Sequence, residues 1–195
     1  NSIGIGNGVA TDFNTIGIGN GVETKVQDTI AVGNGVVSNG ESSVAIGNGI
    51  HADGVRTVNI GTNVSAKGVS SIVVGRDTTV NGDDTTVVGA NNGNIDADQS
   101  AVVGYNNVVQ DASKEQLIFG VNSTTKEQGS TVVGSHSKAT AVDSLALGNN
   151  TIADVQNGVA IGTNSVTESP VGTSTVTDNA TDIRFSNSTF AGATP

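Results

Sequence analysis

His51 and His136 are the only imidazoles in this 195-residue chain, and it has no cysteine. An imidazole becomes a general base when a carboxylate orients it. I-H-A-D-G (Ile50 to Gly54) offers that pairing, with Asp53 two residues beyond His51. On an extended strand, however, residues two apart share a face, and the pair reads as two solvated neighbours. Catalysis would also need a nucleophile and a stabilising donor converging on one point. The sequence near neither histidine supplies them, so no catalytic residue is assigned. Carboxylates cluster in N-G-D-D-T (Asn81 to Thr85) and I-D-A-D-Q (Ile95 to Gln99). Neither follows the EF-hand loop or the nine-residue calcium repeat, so both read as turns, and no metal or cofactor is expected. Asn-x-Ser/Thr occurs at Asn63, Asn122, Asn149, Asn179 and Asn187, as expected of a chain rich in Asn and Thr.

Composition narrows what could position any site. There are 27 glycines, 2 prolines, 4 phenylalanines, 1 tyrosine and no tryptophan or methionine. No core of large side chains can be built from these, so the chain must fold by stacking small apolar residues. A net charge of −10 leaves no basic stripe for nucleic acid and serves solubility instead. No run of 18 apolar residues is present, and no signal peptide opens the chain. It starts in mid-pattern at N-S-I-G-I-G, as a piece cut from a longer protein would.

The positioning element is a repeat. Short apolar runs end at Gly6, Gly19, Gly33, Gly47, Gly61, Gly75, Gly89, Gly104, Gly120, Gly134, Gly148 and Gly162, at intervals of 14 apart from single intervals of 13, 15 and 16. Such a period means a solenoid. The residue before each glycine is large and apolar throughout, from Ile5 to Ile161. Three before it stands mostly Ile or Val, with Thr86, Ala101, Leu117, Thr131 and Leu145 as variants. These two positions share a face. The position between them is small or apolar in every repeat except at Asn59, so the opposite face is dry as well.

Two residues after the anchor come Gly8, Gly21, Gly35 and Gly49, then Asn63, Asp77, Asn91, Asn106, Asn122, His136, Asn150 and Asn164. These types tolerate positive φ, so the position reads as a left-handed turn, and His136 is a turn residue rather than a catalytic one. A second strand follows. Its apolar positions, such as Val22, Val36, Ile50, Ala52, Val64, Ala66, Val80 and Ala153, alternate with polar ones, so it is half-buried and half-wet. Each repeat is therefore one coil of two short strands and two turns. About twelve coils at about 4.8 Å make a rod roughly 50 Å long. One interior covers only one face of the first strand; the other dry face, as in S-S-I-V-V-G (Ser70 to Gly75), must meet another copy.

S-V-A-I-G-N-G-I-H-A-D-G (Ser43 to Gly54) and S-L-A-L-G-N-N-T-I-A-D-V (Ser144 to Val155) resemble the head repeat of YadA-like trimeric autotransporter adhesins. The resemblance covers residues 1–168. It implies an all-β fold, a left-handed parallel β-roll of about twelve 14-residue repeats, assembled as a parallel homotrimer displayed on the surface of a Gram-negative-type bacterium. The implied function is multivalent adhesion to host cells, extracellular matrix or other bacteria, with membrane attachment only through a C-terminal anchor beyond this chain. A passive spacer that projects another binding domain is the alternative. The hexapeptide-repeat acyltransferase solenoids, with about eighteen residues per coil, do not fit a period of fourteen.

The repeat stops after Glu168, which leaves 169–195 as a segment leading towards a neck and stalk; its F-A-G-A-T-P (Phe190 to Pro195) is similar to the stretch before the neck of such adhesins. Y-N-N-V-V-Q-D-A-S-K-E-Q (Tyr105 to Gln116) carries the larger insert and the only tyrosine. Extra residues in a regular rod bulge outward at a turn, so Tyr105, Asn106, Lys114 and Glu115 form the one candidate ligand-contacting ridge.

Overall fold

A computed structural model describes residues 1–110 and 114–168. The segment expected to lead towards a stalk, 169–195, lies outside the described residues. Twelve first strands, from Ile3–Asn7 to Val159–Ile161, pair in chain order in one parallel sheet. Eleven steps join them, so the fold is an all-β parallel solenoid of about eleven turns. The anchor glycines align strand after strand, as in Val58↔Ile72, Asn59↔Val73, Ile60↔Val74 and Gly61↔Gly75. They stay aligned through the irregular coils, with Gly6↔Gly19, Gly89↔Gly104 and Gly104↔Gly120. The register break in the 15-residue coil falls between Ala90 and Gly93, at the first turn. In the 16-residue coil Val109 still pairs Thr125 and Gly104 still pairs Gly120, which confines the extra residues to the second turn. Both inserts fall at turns and leave the first-strand ladder unbroken, but the second-strand ladder is interrupted between Ile95 and Val109, and the second strands from Val108–Val109 onward form a separate sheet.

The anchor glycine fixes the pitch. Gly47 has φ of 142°, and a Cβ there would lie 1.8 Å from the carbonyl oxygen of Gly61 in the next coil. No side chain fits that approach, and the same holds along the column from Gly6 to Gly134.

Residues between the two large apolar positions turn inward. Ala31, Ala45, Val73, Val87, Val102, Ile118, Val132 and Ala146 are fully buried. Across the interior they face the second strand's Val22, Val36, Ile50, Ala52, Val64, Ala66 and Val80, all at 0–1% exposure, as the alternation predicts. From Thr78 onward the interior changes character. Asn92, Asn107, Ser123, Ser137 and Thr151 occupy the column held earlier by Val and Ile, and remain buried.

Burial there is compensated. Asn107 N–H donates to Asn92 Oδ1 (3.0 Å), Ser123 N–H to Asn107 Oδ1 (3.0 Å) and Thr151 N–H to Ser137 Oγ (3.0 Å). Their own donors reach the anchor carbonyls, with Asn107 Nδ2 on Gly120 O (2.8 Å) and Ser137 Oγ on Gly148 O (2.9 Å). A second column does the same at the other turn: Thr57 N–H donates to Ser43 Oγ (3.0 Å), and Ser43 Oγ donates to Gly54 O (3.0 Å). These hydroxyls and amides link one coil to the next, so polar residues can line a dry core, although Ser130 Oγ is buried without a partner.

Asn63, Asn122 and Asn150 have φ of 52°, 53° and 54°, and His136 has 57°, matching the glycines of the earlier coils. A second left-handed row escapes sequence reading. Asn14, Asp28, Ser42, Arg56, Ser70, Asp84, Gln99, Glu115 and Asp143 all lie at φ of 52–63° five residues before an anchor.

Asn59 is the one polar member of the inward apolar row. It is 0% exposed; its Nδ2 donates to Thr57 Oγ1 (3.0 Å), while its Oδ1 is buried without a partner. A buried acceptor left unpaired costs about 1–3 kcal/mol. Asn59→Val, similar in volume and matching Val73 in the next coil, is expected to stabilise the roll by about 1 kcal/mol. Thermal or urea melts check this; an unchanged or lowered midpoint means the amide is satisfied.

Candidate functional site

With both inward columns filled, function is left to the outside, which has three kinds of surface. The first is an apolar stripe on the outer face of the first strands. Ile72 is 40% exposed while Val73 beside it is fully buried. The same alternation leaves Ile18, Ile30, Ile46, Ile60, Val88, Leu147 and Ile161 exposed by 36–43%. Of the two dry faces read in S-S-I-V-V-G, the Val73 face lines the roll and the Ile72 and Val74 face lies outside. An exposed apolar row carried by every first strand along the rod suits an interface better than a surface left in water. Two residues nearer the first turn the outward position becomes polar, with Asn20, Asn34, Asn48, Thr62, Arg76 and Ser135, which gives the stripe a wet rim.

The second surface is the outer side of the second strands. His51 sits there between Val37 and Ser65 of neighbouring coils and is exposed. Asp53 accepts a hydrogen bond from Asn39 Nδ2 (2.5 Å), one coil back, so the carboxylate is tied into a stack along the rod. Scattered apolar residues such as Val37 and Ile152 stand among polar ones.

The third surface is the pair of turn edges. On the first, side chains bond coil to coil: Asn63 Nδ2 donates to Asp77 Oδ1 (2.8 Å), Asn106 Nδ2 to Asn122 Oδ1 (2.7 Å) and Asn150 Nδ2 to Asn164 Oδ1 (2.7 Å). Asn122 Nδ2 lies 3.3 Å from His136 Nε2, so this histidine is one rung of the same ladder. Carboxylates gather on the second edge. Asp98 accepts the N–H of Asp83 (2.9 Å) and pairs with Lys114 (3.3 Å). That backbone hydrogen bond, aided by Lys114, holds its carboxyl below the ordinary value against the opposing effect of burial. The stabilisation is present above the ordinary carboxylate range and is lost as pH falls through the lowered value. Among the described residues no group of three or more His, Asp or Glu is placed to hold a metal ion.

The four residues of the sequence-derived ridge fall into two pairs. Tyr105 ends the first strand Ala101–Tyr105 and Asn106 opens the first turn, before the second strand Val108–Val109. Tyr105 is 46% exposed, and its hydroxyl accepts a hydrogen bond from Asn91 Nδ2 (3.1 Å). Lys114 and Glu115 come after that strand, on the second turn, where Lys114 holds Asp98 and Glu115 Oε2 accepts Gln128 Nε2 (3.4 Å). The part of the insert between the pairs, residues 111–113, lies outside the described residues.

A stacked 14-residue coil with an invariant anchor glycine, a small inward residue and large outward neighbours is a distinctive pattern. The family model of the YadA head domain repeat matches it over residues 27–49, 66–92 and 139–165. These matched coils are YadA-like head repeats. No curated protein matches the chain. Heads of this family belong to trimeric autotransporter adhesins, which display them outside the cell. In this YadA-like head, the matched segments include regular coils of both halves, those with the apolar inner column and those with the Asn/Ser column.

Proposed function

We propose that this YadA-like head acts as a parallel homotrimer, wound left-handed as the family resemblance implies, and binds macromolecules on host cells, extracellular matrix or other bacteria. The observation that supports the reading is the apolar stripe, which runs the length of the rod opposite a polar, repetitive outer face. The stripe joins three copies; the polar faces then point outward three times over, each repeating similar contacts coil after coil. Many weak contacts in fixed geometry give an avidity that none has alone. Tyr105 and Asn106 on one turn, and Lys114 and Glu115 on the other, are the candidate ligand contacts. The adhesin is carried at the bacterial surface through a C-terminal anchor.

The test compares the purified head with Ile72→Asp, which keeps the stripe from closing. Both are applied to immobilised matrix proteins and to host and bacterial cells, with bound protein quantified. Binding by the assembled head, lost by at least about tenfold in the monomeric variant at equal chain concentration, is the expected result. Equal binding by both would remove multivalency from the reading. No binding by the assembled head would favour a spacer that only projects another domain.

A further inference from the structure

We propose that Leu117, Phe119 and Val121 form the anchor layer of self-association, the one level of the rod that contributes most to holding copies of this chain together. The inference rests on the trimer reading and adds where its strength is concentrated.

Each coil presents three outward positions on its first strand. In the described coils the outermost of these is Asn, Thr, Arg or Ser, with three exceptions: Ala90, Tyr105 and Val121. Only the strand Leu117–Val121 carries a large apolar side chain at all three positions. Phe119 stands where every other coil has Ile, Val or Leu, and at 58% it is the most exposed side chain of the stripe. Its interior neighbour Ile118 is fully buried, so the strand is anchored from behind and its outward face is free to engage a partner.

The flanking levels are narrow. The ladder runs Ala101↔Leu117↔Thr131 along one row and Val103↔Phe119↔Val133 along the next. Thr86, Ala101 and Thr131 replace the Ile and Val of the N-terminal coils, so the stripe is thinner on both sides of this level. Tyr105 pairs with Val121 and extends the apolar surface to the first turn, over the rim that is polar elsewhere. A central aromatic flanked by apolar residues that exclude water is the composition of an interface hot spot.

A second copy is the occupant these observations favour. The layer is continuous with the stripe, shares its face and widens it without a break. In a closed parallel assembly all copies bring the same level together, so three phenylalanines meet where any one of them would otherwise stay in water.

Sedimentation equilibrium on the head and on Phe119→Ser, Val88→Ser and Phe119→Leu tests this, with circular dichroism on each. Val88 occupies the same row two coils away and is 41% exposed. Phe119→Ser is expected to weaken assembly by about 30-fold or more, Val88→Ser by less than about tenfold, and Phe119→Leu to recover most of the loss. All should keep the β signal, because neither side chain lines the interior. Equal losses for the two serine variants overturn the anchor layer, and so does a Phe119→Ser chain that has lost its β signal. A wild-type head that is monomeric at every concentration fails the trimer reading itself.

Discussion

Val73→Asp is expected to unfold its part of the roll, whereas Ile72→Asp leaves the coil folded and keeps the chains apart. The two residues are adjacent and both apolar, yet Val73 is fully buried and Ile72 is 40% exposed in the single chain. A carboxylate at Val73 enters the buried inward column, between Asn59 and Val87, at a cost of several kcal/mol. At Ile72 it stays in water until another copy approaches, and then meets its own symmetry mates. Thr79→Asp, on the outward side of the second strand, should do neither. Light scattering reads the mass and circular dichroism the fold. A Val73→Asp chain that melts like the wild type would contradict the assignment of that row to the interior.

Two glycines two residues apart should respond in opposite ways. Gly47→Ala puts a Cβ 1.8 Å from Gly61 O, at a φ of 142°, and neither can relax without parting two coils. A loss of several kcal/mol is expected, enough to open the solenoid at that rung. Gly49 has φ of 60° and nothing within 4 Å of where a Cβ would sit. Gly49→Asn should therefore change stability by less than about 1 kcal/mol, since Asn63 holds the same place one coil on. Gly49→Val, β-branched, should cost about 1–2 kcal/mol. Urea melts of the three variants check the order. A Gly47→Ala protein as stable as Gly49→Asn would mean that coil spacing is not set by the anchor column.

The outward and inward rows of the first strand, the first turn and the half-wet second strand were all legible from the repeat, because each is a column of one residue class read many times over. The choice of which dry face turned inward was not, since Ile72, Val73 and Val74 are equally apolar. Side-chain size decides it: with strands so close across the interior, Ala31, Ala45 and Ala146 fit, and Ile does not recur there until Ile118. The second left-handed row stayed hidden for a different reason. Arg56, Gln99 and Glu115 have no preference for positive φ, and the coil-to-coil bonds at that turn, such as Arg56 N–H to Glu41 O (2.9 Å), impose it on them. The Asn and Ser column of the later coils was also missed, because a polar residue that satisfies the backbone of the next coil looks, in sequence, like a solvent-facing one. The candidate ridge was one continuous stretch in sequence, but a coil reverses direction within a few residues, and its two ends went to two turns.

The ladder bonds described above run along the rod, from Gly49 N–H to Asn34 O and from Val44 N–H to Thr57 O, both 2.9 Å. Under the adhesive role proposed above, a single chain pulled from its end takes the load on the terminal coil, because within the chain each coil touches only its neighbours. That coil peels before the next is strained, and its fourteen residues lengthen the tether by roughly 40 Å in exchange for one rung of about 4.8 Å. A sheet loaded across its strands would hold until it failed all at once. This one yields in equal steps, so a stretched attachment gains length while the force on the bound surface stays near the strength of a single coil.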